Sequence, residues 1–380
     1  MGQGVVTDAQ RSSGAPGSFD ARARALAPSW AQAAATIAGP IVASIAFAAA
    51  LQFGIGPMIG PFYAKILTDV GIAIVLAVSL NLVNGFTGQF SIGHAGFMAV
   101  GGYTAGAITY YGHQLIWGSL QHQGGLFGWS TLLFVCALIG GGLVASVAGV
   151  VVGLPSLRLR GDYLAIVTLG FGEIVRVLLQ RSDDVLVDAA TIHQSSWTTL
   201  VTSLGGSLGF TGLPFLTNLF WVWIAACAVL LVSFRLKRSD QGRALLSIRE
   251  DEVAAEAMGI PTTRFKVQAF VYAAFFAGIA GGLFAHEVGT TLNPRELGFQ
   301  KSFEIVIMVV LGGMGSVSGT TLAAVLLTVL PEALREFSEY RMIAFALTLI
   351  VMMLVRPQGL FGVREIWEAP ALRRWFGSRK

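Results

Sequence analysis

Residues 66–83 read ILTDVGIAIVLAVSLNLV, an 18-residue run in which Asp69 is the one charged residue. A helix of about 20 residues crosses the roughly 30 Å hydrocarbon core of a bilayer, so this run has the length and composition of a transmembrane helix. Similar runs recur along the 380-residue chain, which is 54% hydrophobic and only 12% charged. A soluble domain carries about 25% charged residues. The sequence therefore predicts an all-α integral membrane protein.

Ten apolar segments are candidate membrane spans. The eighth is too short to cross alone, and its boundary with the ninth is poorly marked, so we predict a polytopic helical bundle of about 8–10 transmembrane helices. The segments lie near residues 33–51, 66–83, 90–110, 131–153, 163–179, 216–234, 267–285, 302–311, 320–334 and 342–355.

The distribution of basic residues predicts the orientation of the chain. With the N-terminus inside, 18 of the 25 Lys and Arg residues fall in inner segments, as the positive-inside rule requires. The first thirty residues lack the apolar core of a signal peptide. We therefore expect both termini in the cytoplasm, with a flexible tail over 1–30, a transmembrane domain over 31–356 and a second tail over 357–380. The net charge of +4 reflects this topology. A nucleic-acid partner is not expected, because the sequence pattern shows no basic face with aromatic platforms.

Two polar, glycine-rich segments interrupt the apolar pattern in opposite halves of the chain, at residues 84–97 and 311–319. Such backbone is tolerated at membrane depth only where protein buries it or water wets it, and paired interruptions are typical of transport pathways. The alternative is a pair of ordinary glycine turns between helices. The candidate pathway residues in these segments are Gln89, Ser91, His94, Phe97, Gly313 and Ser316.

Charged and metal-binding residue types are scarce inside the spans. Glu173 and Arg176 in the fifth span have the i,i+3 spacing of an ion pair on one helical face, and charges in spans usually face the bundle interior. They either line a polar pathway or form a structural pair. His94 is a candidate for the pathway or for a hydrogen-bonded structural role. No second ligand stands at metal-site spacing from it.

The loop over residues 235–266 is the longest one predicted on the inner side. A helix is expected up to Met258, with Gly259 as its C-terminal cap and Pro261 just beyond. An apolar stripe of Leu245, Ile248, Val253 and Met258 would leave residues 249–252 solvated. This helix is either a docking site for a soluble partner or a solvated connector. The candidate docking residues are Arg243, Glu250, Asp251, Ala254, Ala255, Glu256 and Gly259.

A family resemblance favours docking. The sequence AAEAMGI (254–260) resembles the loop by which ABC importer permeases engage their ATPase subunits. The wider chain resembles the M-type permease of branched-chain amino acid ABC transporters, the Liv system. Besides that loop, the matching segments are GQFSIGHAGF (88–97), GDYLAIVTLGFGEI (161–174), GGMGS (312–316) and RPQGLFG (356–362).

The resemblance implies a heteromeric importer in the bacterial inner membrane. A second, H-type permease, two cytoplasmic ATPase subunits and a periplasmic binding protein for a hydrophobic amino acid would complete it. The chain has no G-x-x-x-x-G-K-[ST] phosphate loop, so ATP and magnesium would be used by the partner ATPases and no cofactor or metal is expected here. A urea or short-amide permease of the same family is one alternative.

An ion-coupled secondary transporter is the alternative from another class. It needs intramembrane acids, and Glu173 is almost the only candidate within a span. An enzyme is least expected, because no nucleophile–base or carboxylate pair stands out.

Overall fold

The computed structural model describes residues 30–118, 128–156, 162–288 and 291–335, and single positions between 340 and 366. The chain forms two compact units, Met1–Ala46 and Phe47–Lys380. The residues described in the first unit are helical. All side chains discussed below belong to the second unit.

The described part of the chain is helical apart from short links and one two-stranded ribbon, which confirms the all-α prediction. A π-helical turn, Ala50–Ile55, follows α1, and 3₁₀ turns lie at Gly206–Leu208 and Pro294–Leu297. The strands β1 (Phe210–Thr211) and β2 (Thr291–Leu292) pair antiparallel. The α-helices are α1 (Trp30–Ala49), α2 (Pro61–Asn84), α3 (His94–Trp117), α4 (Trp129–Ser156), α5 (Asp162–Gln180), α6 (Ala189–Gln194), α7 (Trp197–Thr202), α8 (Leu219–Arg238), α9 (Asp240–Glu250), α10 (Glu252–Ala257), α11 (Thr262–Val288), α12 (Phe299–Gly312) and α13 (Val317–Ala333).

Six helices of the described residues are long and apolar enough to cross a membrane, which is consistent with a multi-pass membrane protein. These correspond to the first, second, fourth, fifth, sixth and seventh predicted spans. They are Ala38–Ile55, Pro61–Asn84, Trp129–Pro155, Tyr163–Gln180, Leu219–Arg238 and Thr262–Glu287.

The remaining predicted spans differ from the expectation. The third begins only at His94, and its helix α3 carries further polar residues such as His113 and Gln114, which lower its hydropathy. The eighth and ninth are the shorter helices α12, of 14 residues, and α13, of 17 residues. Half of the tenth, seven of its fourteen residues, lies outside the described residues.

Helix α2 lies at the centre of the bundle, and every residue from Val70 to Asn84 is buried. A helix that is apolar around its whole circumference is expected in such a position. Around it, α3 and α11 approach at backbone distance, since a Cβ atom on Gly281 would lie 1.9 Å from the carbonyl oxygen of Met98. Glycines recur four positions apart on these two helices, Gly102 and Gly106 on α3 and Gly278 and Gly282 on α11, a spacing that allows helices to approach closely. Glycine there sets the helix spacing.

Candidate functional site

Two ends of the bundle can be distinguished from helix directions. The C-terminal ends of α2 and α8 and the N-terminal end of α11 lie together, because residues 239–261 join α8 to α11 and Arg249 in this link contacts Gly85. We call this the Arg249 end. The opposite termini of the same three helices form the Lys65 end, where Lys65 of α2 contacts Glu287 of α11.

The link at the Arg249 end consists of two helices. Ser239 caps α9 by accepting a hydrogen bond from the Gly242 amide at 3.1 Å. The Asp251 carboxylate then accepts bonds from the amides of Val253 and Ala254 at 2.9 and 3.0 Å and so starts α10. The predicted single helix up to Met258 is therefore wrong, because an aspartate that caps a new helix ends the old one.

Gly259 follows α10 with a φ of +84°, in agreement with the predicted left-handed cap. Its neighbours divide into two faces. Ala255 is 4% exposed and packs against its own chain, while Val253 is 63% and Met258 83% exposed. The predicted stripe of four apolar residues is therefore split, with Leu245 and Ile248 buried. Asp251 ends α9 and begins α10, and the face of α10 that carries Val253 is exposed.

Both predicted interruptions of the apolar pattern meet at the last turns of α2. Asn81 donates to the Ser316 carbonyl at 3.2 Å and accepts from the Gly315 amide at 2.9 Å. Asn84 donates to the carbonyl of Ser91 at 3.3 Å and accepts from its amide at 3.1 Å. Two buried side-chain amides thus replace the backbone partners that the interrupted helices lack.

The irregular backbone is shorter than predicted. Between α2 and α3 it covers residues 85–93, which include Gln89 and Ser91, whereas His94 and Phe97 already belong to α3. Between α12 and α13 it covers residues 313–316. Gly313 adopts a φ of +101° after α12, and Ser316 caps α13 by accepting from the Gly319 amide at 3.1 Å. We call these two segments the first and the second break.

Arg249 of α9 connects the two breaks, although the sequence pattern predicted it to be solvated. Its Nη1 donates to the Gly85 carbonyl at 2.7 Å and to the Met314 carbonyl at 3.2 Å. Hydrogen bonds from a charged donor are roughly twice as strong as neutral ones. Lys237, at the end of α8, adds a bond to the Gly315 carbonyl at 2.8 Å. Arg249 of the link and Lys237 of α8 therefore hold backbone carbonyls of the breaks.

Glu365 completes this junction from a segment that the sequence pattern placed in a tail. Its carboxylate is buried and accepts bonds from Lys237 at 2.5 Å, from the Ser318 amide at 3.0 Å and from the Val317 amide at 3.2 Å. The amides form the first turn of α13, where a carboxylate also interacts favourably with the helix dipole. Burial alone raises the pKa of Glu365, but the bonds from Lys237 and Ser318 hold it below its ordinary value.

His94 is the first residue of α3, directly after the first break, and it fixes the start of this helix against α2. Its Nε2 lies 2.9 Å from the Ser79 hydroxyl of α2, and the ring is buried. Beside it, the Thr168 hydroxyl of α5 accepts from the Ile92 amide at 3.1 Å. No group of three or more His, Cys, Asp or Glu residues in the described part of the chain has metal-site geometry. The geometry of His94 is that of a hydrogen-bonded side chain between helices.

Glu173 and Arg176 form the ion pair that their spacing predicted. Glu173 Oε2 and Arg176 Nε are 2.7 Å apart, and both side chains are partly exposed. Glu173 Oε1 also accepts from the Phe299 amide at 3.1 Å. Glu173 therefore links α5 to the first turn of α12. The second break follows the opposite end of α12.

A family comparison agrees with this architecture. The family described as "Branched-chain amino acid transport system / permease component" matches residues 62–355. The chain belongs to this family. The match includes both breaks and the whole link from α8 to α11, and the chain is therefore a transport permease.

Individual relatives lead to the same family. The chain is 40% identical over 311 residues to the high-affinity branched-chain amino acid transport system permease protein LivM of Salmonella typhimurium, covering 78% of this chain and 69% of the relative. It is 38% identical over 343 residues to LivM of Escherichia coli K12, with coverages of 84% and 74%. LivH of Escherichia coli K12 is 26% identical over 304 residues, with coverages of 77% and 92%. No solved structure matches the chain.

Proposed function

We propose that this permease is the M-type subunit of an ATP-driven importer of branched-chain amino acids in the bacterial inner membrane. The relatives named LivM support the substrate class and the subunit type. LivH, a second permease that resembles the same chain, supports an H-type partner. Two ATPase subunits would use ATP and magnesium, a periplasmic protein would deliver the amino acid, and this chain would bind no cofactor.

One observation carries the proposal, namely that Arg249 bonds to both breaks from a helix in the link. In the proposed orientation the Arg249 end faces the cytoplasm, where the ATPases are. A partner that moves the link would move α9 and, through Arg249, both breaks. Irregular backbone can change its dihedral angles with little loss of internal hydrogen bonding, as hinge segments do.

The outward face of α10 is the proposed ATPase contact. Val253 and Met258 are exposed apolar side chains, and exposed Ala254 and Ala257 between them allow close approach. Ala255, a docking candidate from the sequence, instead supports α10 from within the chain. Glu256 accepts from the Thr262 hydroxyl at 2.7 Å and so ties α10 to α11. Docking therefore depends on Val253, Ala254, Ala257 and Met258.

The test is co-purification of the ATPases and leucine uptake in cells that express all subunits. We expect Met258→Asp to reach the membrane at normal levels but to lose ATPase association and ATP-driven uptake together, because hot-spot truncations cost about 2 kcal/mol or more. Leu208→Asp is the matched control, since Leu208 is a similarly exposed apolar residue outside the link.

Two results would contradict the proposal. If Met258→Asp kept both ATPase association and uptake, α10 would not be the docking helix. If leucine uptake continued in cells that lack the ATPases, a secondary transporter would be the better assignment.

A further inference from the structure

A cavity at the Lys65 end lies opposite the Arg249 junction. Its volume is about 790 Å³, within the range of small-molecule sites, which hold roughly 300–1,000 Å³. The starts of α2 and α8 and the end of α11 border it. We call it the Lys65 cavity. Its lining includes Lys65, Glu287 and Glu296 among apolar residues.

The charges around this cavity are unbalanced. Lys65 Nζ lies 3.3 Å from Asp69 Oδ2 and 3.3 Å from Glu287 Oε1, so two carboxylates share one ammonium group. Glu296 adds a third acid to the same region. Unlike the junction around Arg249, where cations hold carbonyl oxygens, this site carries excess negative charge.

Glu287 has an unused acceptor. The residue is 9% exposed, and no donor among the described residues reaches its Oε2 atom. A buried carboxylate oxygen without a donor is costly, so Oε2 requires a donor from outside the described residues. Lys65 does not supply it, because its ammonium group is directed to Oε1. A ligand ammonium group would meet this requirement.

The cavity also offers what the rest of a hydrophobic amino acid requires. The Lys65 side chain is 63% exposed, and its hydrogen bonds to Asp69 and Glu287 are long, at 3.3–3.4 Å. The ammonium group has three donors and can therefore exchange one of these bonds for a bond to a ligand carboxylate. Pro57, Phe215, Leu219 and Phe284 form apolar walls for an aliphatic side chain. Positive, negative and apolar groups thus lie within one site.

We propose that the Lys65 cavity is a binding site for the zwitterionic form of a hydrophobic α-amino acid. Glu287 binds the ammonium group, Lys65 binds the carboxylate, and Asp69 is a positioning residue that orients Lys65. The choice of a hydrophobic amino acid as ligand rests on the proposed function. The positions of the charged groups are observed in the cavity and do not depend on it. In the proposed orientation the site faces the side from which substrate arrives.

The test is protection of a single cysteine from a membrane-impermeant thiol reagent. Cys136 and Cys227 are replaced by alanine, and Ala64, which lines the cavity, by cysteine, in the purified complex with its partner permease and ATPases. We expect L-leucine to slow the modification severalfold. Isoamylamine, which lacks the carboxylate, and isocaproate, which lacks the ammonium group, should not do so at the same concentration.

Variants of the site give a quantitative readout. Glu287→Gln and Lys65→Gln should each raise the leucine concentration for half protection about tenfold or more, the scale of one charged hydrogen bond. Asp184→Asn is the matched control, because Asp184 is an exposed acid outside the lining of the cavity and should leave protection unchanged. Two site variants are used so that a folding defect in one does not decide the result.

The outcomes separate this inference from the proposed function. Absence of protection in a preparation that transports leucine with its binding protein would overturn the site and leave the function intact. Equal protection by isoamylamine would overturn the zwitterion assignment. Protection by leucine without any leucine transport would support the site and contradict the proposed function, and neither protection nor transport would overturn both.

Discussion

Arg249 and Gly85 lie 164 positions apart in the chain, and the guanidinium Nη1 of the first donates to the backbone carbonyl of the second at 2.7 Å. The same nitrogen reaches the Met314 carbonyl at 3.2 Å. One donor on α9 therefore holds the first residue after α2 and a residue of the second break. Because α9 is a rigid element between α8 and α10, its displacement would alter both breaks together.

Replacing Arg249 is expected to separate assembly from transport. Arg249→Gln leaves the outward face of α10 unchanged but removes a charged donor from two carbonyls, and such bonds contribute about 1.5–3 kcal/mol each. We expect normal ATPase association and a fall in uptake of tenfold or more, measured with co-purification and labelled leucine.

The control for this variant is Arg243→Gln on the same helix, at a docking candidate of the sequence pattern that lies outside the ATPase contact proposed on α10. Arg243 is exposed and pairs with Asp240 of α9, and exposed pairs contribute about 0–1 kcal/mol. We expect nearly normal uptake. Equal losses in both variants would indicate a general effect of charge on α9 and would contradict the specific connection through Arg249.

The sequence predicted individual elements better than the contacts between them. The run 66–83 lies inside α2, and the glycine-rich segments contain both breaks. Period and composition are local properties, so they indicate where a helix lies and where it is interrupted. Asn81 read as one polar residue in an apolar run, and no local pattern indicated that its amide holds the Gly315–Ser316 backbone.

The prediction of a single helix in the link was wrong for a different reason. Asp251 followed by a run of helix formers is a helix-start signal, but the continuous charge pattern favoured one helix. Arg249 was expected in solvent because it lies off the predicted apolar stripe. Its carbonyl partners lie in distant segments, so no local pattern indicated them. Glu365 had no detectable signal, since its role depends on the first turn of α13 lying beside it.

Glu365 is expected to make the stability of the junction pH-dependent. Its pKa is lower in the folded protein than the ordinary value of about 4.3 for an unfolded chain. The carboxylate therefore stabilises the fold above that ordinary value, and this contribution is lost as pH falls through the lower, folded-state pKa. At about pH 7, Glu365→Gln should cost about 1–3 kcal/mol.

Thermal unfolding of the purified protein at neutral and acidic pH measures this effect. The difference in Tm between the unaltered chain and Glu365→Gln should shrink on acidification. Glu250→Gln, which changes an exposed acid, is the control and should give a small difference at both pH values. A Glu365→Gln difference that stays constant with pH would contradict the assignment.

The close approach of α3 and α11 predicts that Gly281 does not tolerate a methyl group. A Cβ there would lie 1.9 Å from the Met98 carbonyl oxygen, so the helices must separate. Overpacking of this kind typically costs about 1–3 kcal/mol, and we expect Gly281→Ala to lower the Tm in detergent. Gly170→Ala is the matched control, because nothing lies within 4 Å of a Cβ on this other helical glycine. Equal Tm values for the two variants would show that backbone contact does not limit the distance between α3 and α11.

Glu173 and Arg176 allow a test of structural against pathway roles. A partly exposed pair contributes about 0.2–1 kcal/mol, so each single neutralisation should reduce stability modestly. Glu173 also accepts from the Phe299 amide at the start of α12, and Arg176 makes no such contact with α12 in the described residues. We therefore expect Glu173→Gln to lower the Tm more than Arg176→Gln.

The exchanged variant, Glu173→Arg with Arg176→Glu, completes the test. If the pair is structural, the exchange restores the ion pair but not the bond to Phe299, so its Tm should lie between those of the unaltered chain and Glu173→Gln. Uptake should then follow the amount of assembled protein. If each single variant assembled normally but lost uptake, a role of the pair in the transport pathway would be the better assignment.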